Sequence, residues 1–317
     1  MHDDENKKII KFNQNDDLTI LLDKLFKEVF NPTQNAKKLR IREGKSKTEP
    51  YTDITFENFH GSLNKFDEFI FCLAISEQRA GNNVFTIRRL WQKAGGSHSL
   101  TADMKEAISN SLKKLRCTLV NINMTSVNQK YHYTDKQEVT FSNYLLPCKT
   151  VKVKINGQLV DEAFQFLDTS PLFQVAELKG QFTEQPFELL DVPKLKNTEV
   201  TMKLKFYLFE RITAILGSHK KHKSHIVGKK KGGGFIFKKS KILRKTITFD
   251  DVFHQCELAD AKDWQKQDAR NVIKKILEHF KEQRFISEWH FVKKNGAFYS
   301  IQFNQKQKNN EKTPKNT

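Results

Sequence analysis

The stretch Ile247–Phe303 constrains the fold of this 317-residue chain more than any other. Thr248 followed three residues later by Asp251 is a helix-start signal just ahead of an apolar run. Beyond a turn, Ala269, Ile273, Ile276, Leu277 and Phe280 recur at helical spacing and share one face. Lys266, Gln267, Arg270, Asn271, Lys274 and Lys281 occupy the other face. Arg284-Phe285-Ile286 is predicted to begin a strand. Asn295-Gly296 is predicted to turn a hairpin, because both positions tolerate positive φ, and Phe298, Ile301 and Phe303 fall on the return strand. Short helix, turn, basic helix and hairpin read as a winged helix-turn-helix, which presents its second helix to the DNA major groove.

Charge points to the same class of partner. Lys plus Arg number 55 against 37 for Asp plus Glu, a net charge of +18. Such an excess favours a polyanion, either nucleic acid or an anionic membrane surface. No apolar run reaches the roughly 18 residues of a spanning helix, and no secretory leader pattern opens the chain. The expectation is a soluble cytoplasmic protein with no membrane partner. Four cysteines, Cys72, Cys117, Cys148 and Cys256, lie far apart without a Cys-x-x-Cys pair. They read as free, mostly buried thiols of a reducing compartment, not as zinc ligands.

Taken in order, residues 1–55 read as an N-terminal helical and flexible extension. Leu18, Leu21, Leu22, Leu25, Phe26 and Val29 have helical spacing, which predicts a helix over 18–30. Its apolar face suits a domain core, with a dimer contact as the alternative. Residues 32–50 read as a basic loop, whose Lys37, Lys38, Arg40 and Arg42 are a solvated charge run or a phosphate contact.

Residues 56–167 read as a first winged-helix domain. A helix over Leu63–Ala80 ends at Gly81-Asn82-Asn83, and a second runs over Phe85–Lys93 to Gly95-Gly96. Ser99 or Thr101 caps a third, with Asp103 in its first turn and Met104, Ile108, Leu112 and Leu115 as its apolar stripe. Strands follow from Leu119, Val139 and Thr150, and over Leu159–Leu167, with Asn156-Gly157 as a turn. Residues 168–199 form a connector with a short helix over Leu172–Leu178. Residues 200–304 form a second winged-helix domain, opened by a helix over Val200–Leu216 and carrying an insertion at 217–245. Residues 305–317 read as a disordered basic tail.

The two halves repeat. Phe85-Thr86-Ile87-Arg88-Arg89-Leu90-Trp91 matches Ile247-Thr248-Phe249-Asp250-Asp251-Val252-Phe253 in residue class. The fold class expected is therefore α+β, with two tandem winged helices as a pseudo-repeat.

The insertion at 217–245 has ten lysines, one arginine and no acid. Basic side chains on such a segment suit phosphate contact, which supplies affinity without sequence information. Catalytic signals are lacking. No Gly-x-x-x-x-Gly-Lys-Ser/Thr loop and no His-x-His pair occurs. His219, His222 and His225 would share a helix face and offer a metal site, but the surrounding lysines repel a cation. Asp250-Asp251 suit capping better than Mg²⁺. The chain is read as a non-enzyme with no cofactor.

The patterns "LFQVAELKGQFTEQPFELLD", "NTEVTMKLKFYLFERI" and "ARNVIKKILEHFKEQRFI" resemble winged-helix replication initiators of plasmids and integrative mobile elements of low-GC Gram-positive bacteria. The resemblance spans roughly 56–303. It implies binding to repeated double-stranded sites at an origin, recruitment of host helicase or primase machinery, and a homodimer that represses its own synthesis. It places base reading on the third helix of each domain: Lys105, Ser109 and Lys113 in the first, and Lys266, Gln267, Arg270, Asn271 and Lys274 in the second. Arg270 and Asn271 have the best base-edge chemistry, since Arg suits guanine and Asn adenine. The phosphate candidates are Arg88, Arg89, Lys220, Lys221, Lys223, Lys229, Lys230, Lys231, Lys238, Lys239, Lys241, Lys293 and Lys294. A transcriptional repressor and a protein-interaction module remain alternative readings of the same fold.

Overall fold

The computed structural model describes residues 18–22, 29–30, 36–43, 45–96, 99–155, 158–219, 224–229, 234–239 and 243–304. Its contacts fall into two compact units. The first holds Met1–Asp191, Asn197–Lys203 and Ser224–Lys239; the second holds Val192–Lys196, Leu204–Lys223 and Ser240–Thr317. The secondary structure is mixed α+β, and among the described residues every paired strand is antiparallel.

The first unit departs from expectation at its start. Residues 18–22, predicted as helix, form strand β1 (Leu18–Leu22), paired with Phe182–Pro186. A Leu-Thr-Ile-Leu-Leu run suits either element, and a partner strand far away in sequence decides between them. Residues 23–28 of that predicted helix lie outside the described residues. The predicted basic loop is also a strand. Strand β2 (Ala36–Arg42) pairs with β3 (Tyr51–Asn58). Its register sets Leu39 opposite Ile54 and Arg40 opposite Asp53, so aliphatic and cationic side chains alternate between faces. Arg40 forms a two-pronged ion pair with Asp53 at 2.6 and 2.8 Å, and its guanidinium lies 4.0 Å from the Tyr51 ring.

Helix α1 (Lys65–Arg79) runs through the core of this unit, with every residue from Lys65 to Glu77 buried. A reciprocal cap starts it. The Asn64 side chain accepts from the Phe66 and Asp67 amides, and the Asp67 carboxylate accepts from the Asn64 amide at 2.9 Å. Burial pushes the Asp67 carboxyl up, against the opposing pull of Lys114 at 3.0 Å. A total apolar wrap leaves charged groups no water, so they pair with one another. Lys65 contacts Glu68 one turn on, and Glu77 collects three donors near the helix end.

After α1 come β4 (Val84–Thr86), α2 (Ile87–Lys93) and α3 (Ala102–Arg116). Strand β5 (Thr118–Asn123), helix α4 (Thr125–Tyr131) and strand β6 (Thr140–Tyr144) follow, then the hairpin β7 (Cys148–Ile155) and β8 (Gln158–Phe166). Helix α5 (Pro171–Lys179) and strand β9 (Phe182–Pro186) come next. One sheet has the order β2-β3-β5-β6 and a second has the order β4-β8-β7. The expected turn at Asn156-Gly157 lies outside the described residues. Phe85, predicted to start the second helix, belongs to β4; the helix begins at Ile87 because Thr86 caps it.

The helix α6 (Glu199–His219) contributes its residues from Leu204 onward to the second unit. Within 217–245, expected as an insertion, strands β10 (Ser224–Lys229) and β11 (Phe235–Lys239) pair and group with the first unit. The second unit continues with β12 (Thr246–Thr248), α7 (Phe249–Gln255), α8 (Asp263–Glu282), β13 (Glu288–Lys294) and β14 (Ala297–Asn304). Its sheet has the order β12-β14-β13. Arg284–Ile286, predicted as strand, is instead the turn that leaves α8. Arg284 has φ 58°, and the Phe285 and Ile286 amides both donate to the Phe280 carbonyl, at 2.8 and 3.3 Å. Phe285 then packs back on Phe280 and Phe209, with centroids 5.3 and 5.7 Å away. Asn295 and Gly296 turn the hairpin with φ 52° and 79°.

The two heptapeptides occupy comparable places in the backbone, each running from a short strand into a short helix. In each copy a long helix comes before a three-residue strand and two further helices, and the short strand pairs with the return strand of a later hairpin; in the first, β5, α4 and β6 intervene before that hairpin, and in the second, β10 and β11 intervene after the long helix. The Thr86 hydroxyl accepts from the Arg89 amide at 3.1 Å; the Thr248 hydroxyl accepts from the Asp251 amide at 3.1 Å. Phe85, Ile87, Leu90 and Trp91 are buried in one copy, and Ile247, Phe249, Val252 and Phe253 in the other. Each hairpin has a register shift in which its return strand carries one extra residue, Val160 opposite the Val153–Lys154 step and Tyr299 opposite the Val292–Lys293 step.

Candidate nucleic-acid interface

Helix α8 sorts its side chains into three stripes. Ala269, Ile273, Ile276, Leu277 and Phe280 are buried, as the period predicts. Trp264, Gln267, Asn271 and Lys274 are exposed on the opposite side, together with Asp268 and Lys275. Between these stripes lie Lys266 and Arg270, both half-buried.

Arg270 has a role that the sequence did not disclose. Its guanidinium carbon is 5.5 Å from the Phe249 ring, 5.4 Å from Phe253 and 5.5 Å from Phe298. Nη1 donates to Gln267 Oε1 at 3.3 Å, while Nε is buried without an acceptor among the described residues. Phe249 and Phe253 are on α7 and Phe298 is on β14, so one cation ties both helices to the hairpin. Lys266 joins the edge of this cluster, with Nζ 6.0 Å from the Phe253 ring. Stacking on three rings, with its stem packed, gives Arg270 a structural load. Arg270→Ala is expected to destabilise the second unit by about 1–2 kcal/mol, the scale of a partly desolvated cation–π contact, with a lower urea midpoint as the readout. An unchanged midpoint would refute this.

The hairpin adds cations at its tip. Lys293 and Lys294 are exposed, with Nζ 4.8 Å from the Phe298 ring and 5.4 Å from the Tyr299 ring respectively. Trp289, Phe291 and Phe298 continue the aromatic layer beneath them, with neighbouring centroids 5.1 and 5.7 Å apart.

In the first unit, α3 exposes Lys105 and Lys113 and half-buries Ser109. Here too an arginine joins the third helix to its hairpin. Arg116 donates to the Cys148 carbonyl at 3.0 Å and to the Thr150 hydroxyl at 2.7 Å. The neighbouring Cys148 thiol is pushed up to about 12 by burial, which removes it from thiolate chemistry at neutral pH. Arg88 is exposed on α2, whereas Arg89 is spent on Glu77 at 3.1 Å.

The remaining phosphate candidates divide by what is described. Lys229, Lys238 and Lys239 lie on the β10–β11 hairpin; Lys220, Lys221, Lys223, Lys230, Lys231 and Lys241 lie outside the described residues. The three histidines do not share a helix. His219 ends α6, His225 is on β10 and His222 lies outside the described residues. Among the described residues no group of three or more His, Cys, Asp or Glu side chains gathers to hold a metal. No helix among them is long and apolar enough to cross a membrane.

The class these features define is a mixed α+β protein with antiparallel sheets. Two crystal structures of domains 2 and 3 of RctB are similar to it. One covers 88% of this chain and 95% of its own, with a TM-score of 0.41 and 11% identity. The other covers 89% and 96%, with a TM-score of 0.40 and 10% identity. No family model and no curated protein sequence matches the chain.

Proposed function

We propose that the two repeats are winged helices and that the chain is a non-enzymatic, sequence-specific double-stranded DNA-binding protein. The observation that carries this reading is the outward stripe of α8. Two amides and a lysine, Gln267, Asn271 and Lys274, stand exposed on a helix whose opposite face is fully packed. Amide side chains pair in two-pronged fashion with adenine in the major groove. Lys293 and Lys294 on the hairpin and Arg88 in the first unit hold phosphates, while Lys105 and Lys113 on α3 are the first unit's base-reading candidates. Arg270 sets the angle between helix and hairpin, so base reading passes to Gln267 and Asn271.

The task proposed for this reader is replication initiation on a plasmid or mobile element in the cytoplasm, with origin repeats, host helicase or primase and a second copy of the chain as partners. The resemblance of its helical patterns to such initiators supports this assignment. Selection of bound duplexes from a random and element-derived pool tests it: tandem repeats are expected. A lone palindrome would assign a repressor instead, and a pool with no enriched sequence would remove specific DNA binding altogether.

Asn271→Ala is expected to weaken the selected site by roughly 1–3 kcal/mol while leaving random duplex unchanged. Replacing Lys293 and Lys294 with Gln should weaken all duplexes and flatten the dependence of log K on log salt by about 0.9 per lost phosphate contact. Equal losses of Asn271→Ala on both duplexes, read by titration at fixed salt, would withdraw the base-reading role.

A further inference from the structure

Trp264 is 62% exposed in the first turn of α8, a large apolar surface on an otherwise polar stripe. The core of the second unit does not use it, since Ala269, Ile273, Ile276, Leu277 and Phe280 already fill the buried face. Helical spacing puts Trp264 in line with Gln267 and Asn271, one and two turns further on. Lys262 just ahead of the helix and Lys274 within it are exposed, alongside the exposed Asp263 and Asp268, so the stripe around the indole is polar, and the net charge of +18 favours a polyanion over an apolar protein face as its partner.

We infer that Trp264 reads the C5-methyl group of a thymine in the major groove, beside the bases addressed by Gln267 and Asn271. The inference rests on the DNA-reading function proposed above. In that groove the thymine methyl is the one apolar mark on a base-pair edge, and every other mark is a hydrogen-bond donor or acceptor. An indole flanked by amides therefore matches a thymine next to adenine-bearing pairs. Burying the indole against the methyl removes apolar surface of both from water, at little cost in side-chain freedom because tryptophan has only two torsions.

The test uses the full chain and the duplex enriched by selection, with each thymine in turn replaced by deoxyuridine. That exchange deletes the methyl and keeps every hydrogen bond. One position is expected to weaken the parent protein roughly four-fold, the scale of one buried methyl group. W264A should bind the thymine and deoxyuridine duplexes equally, and W264F should keep part of the difference. A 5-fluorotryptophan-labelled chain, its Trp264 resonance assigned through W264F, should show that resonance moving with the thymine duplex and moving less with the deoxyuridine one. If a site is selected but no exchange affects binding, or if W264A shows the same loss as the parent, Trp264 does not read a methyl and the DNA-binding function stands. If no site is selected, both fall.

Discussion

Glu77→Ala should lower the unfolding temperature of the first unit by about 10 °C or more, because it breaks a buried ion-pair network. The Glu77 side chain is fully buried in α1. Its carboxylate accepts from Arg89 Nε and Lys93 Nζ, both at 3.1 Å, and from Asn82 Nδ2 at 2.7 Å. Lys93 is 2% exposed, so water cannot replace the lost counter-charge. Removing one partner of such a pair costs about 3–5 kcal/mol, against a total stability of roughly 5–15 kcal/mol for an ordinary domain. Circular dichroism on heating reads the effect. Glu77→Gln keeps an acceptor and the shape, and should lose less. Replacing Glu77 and Lys93 together by Leu and Met should recover only part of the loss, since apolar packing substitutes for that pair while Arg89 and Asn82 still lose the Glu77 acceptor. If Glu77→Ala melts with the parent, the network contributes nothing.

Gly95→Ala should be comparably severe. Gly95 follows α2 with φ +79°, and a Cβ there would stand 2.4 Å from the Leu190 carbonyl oxygen and 2.7 Å from Asp191 Cα. Both neighbours are backbone, so no rotamer relieves the clash. The Gly95 carbonyl also accepts from Asn197 Nδ2 at 2.8 Å, which pins the segment from the other side. A left-handed conformation costs a side-chain-bearing residue about 1–2 kcal/mol and overpacking about 1–3 kcal/mol more. Gly81 is the control. Its φ is +84°, yet nothing lies within 4 Å of its Cβ position, so Gly81→Ala should cost only the backbone part. Urea midpoints for the two variants should therefore differ clearly; equal midpoints would remove the close approach to Leu190 from the account.

Most of the helices were legible because their causes are local, although α4 and the Thr86 cap were not read and residues 18–22 form a strand. Thr86 and Thr248 each begin a helix by accepting an amide three residues on, and the residue classes around them were alike in sequence. The buried stripe of α8 followed from period alone. The sheets were less legible. Strand β1 pairs with β9, and the alternation of Lys37, Leu39 and Ile41 with Lys38, Arg40 and Arg42 was hidden under a run of positive charge. In the candidate interface, Asn271 and Lys274 came out exposed as expected. Arg270 did not, because the three rings around it come from α7 and β14, outside its own helix.

Ile247–Phe303 by itself determined two helices and a hairpin, since helical period, a threonine cap and an Asn-Gly turn act over a few residues. Only the tertiary structure decided which of its cations face solvent. Arg270 and Arg89 have sequence contexts as basic as those of Lys274 and Arg88, yet one is stacked on three phenylalanines and the other is held by a buried glutamate. Ion pairing and stacking depend on distance in space, and the partners that fix both arginines lie on other elements, beyond the reach of helical period.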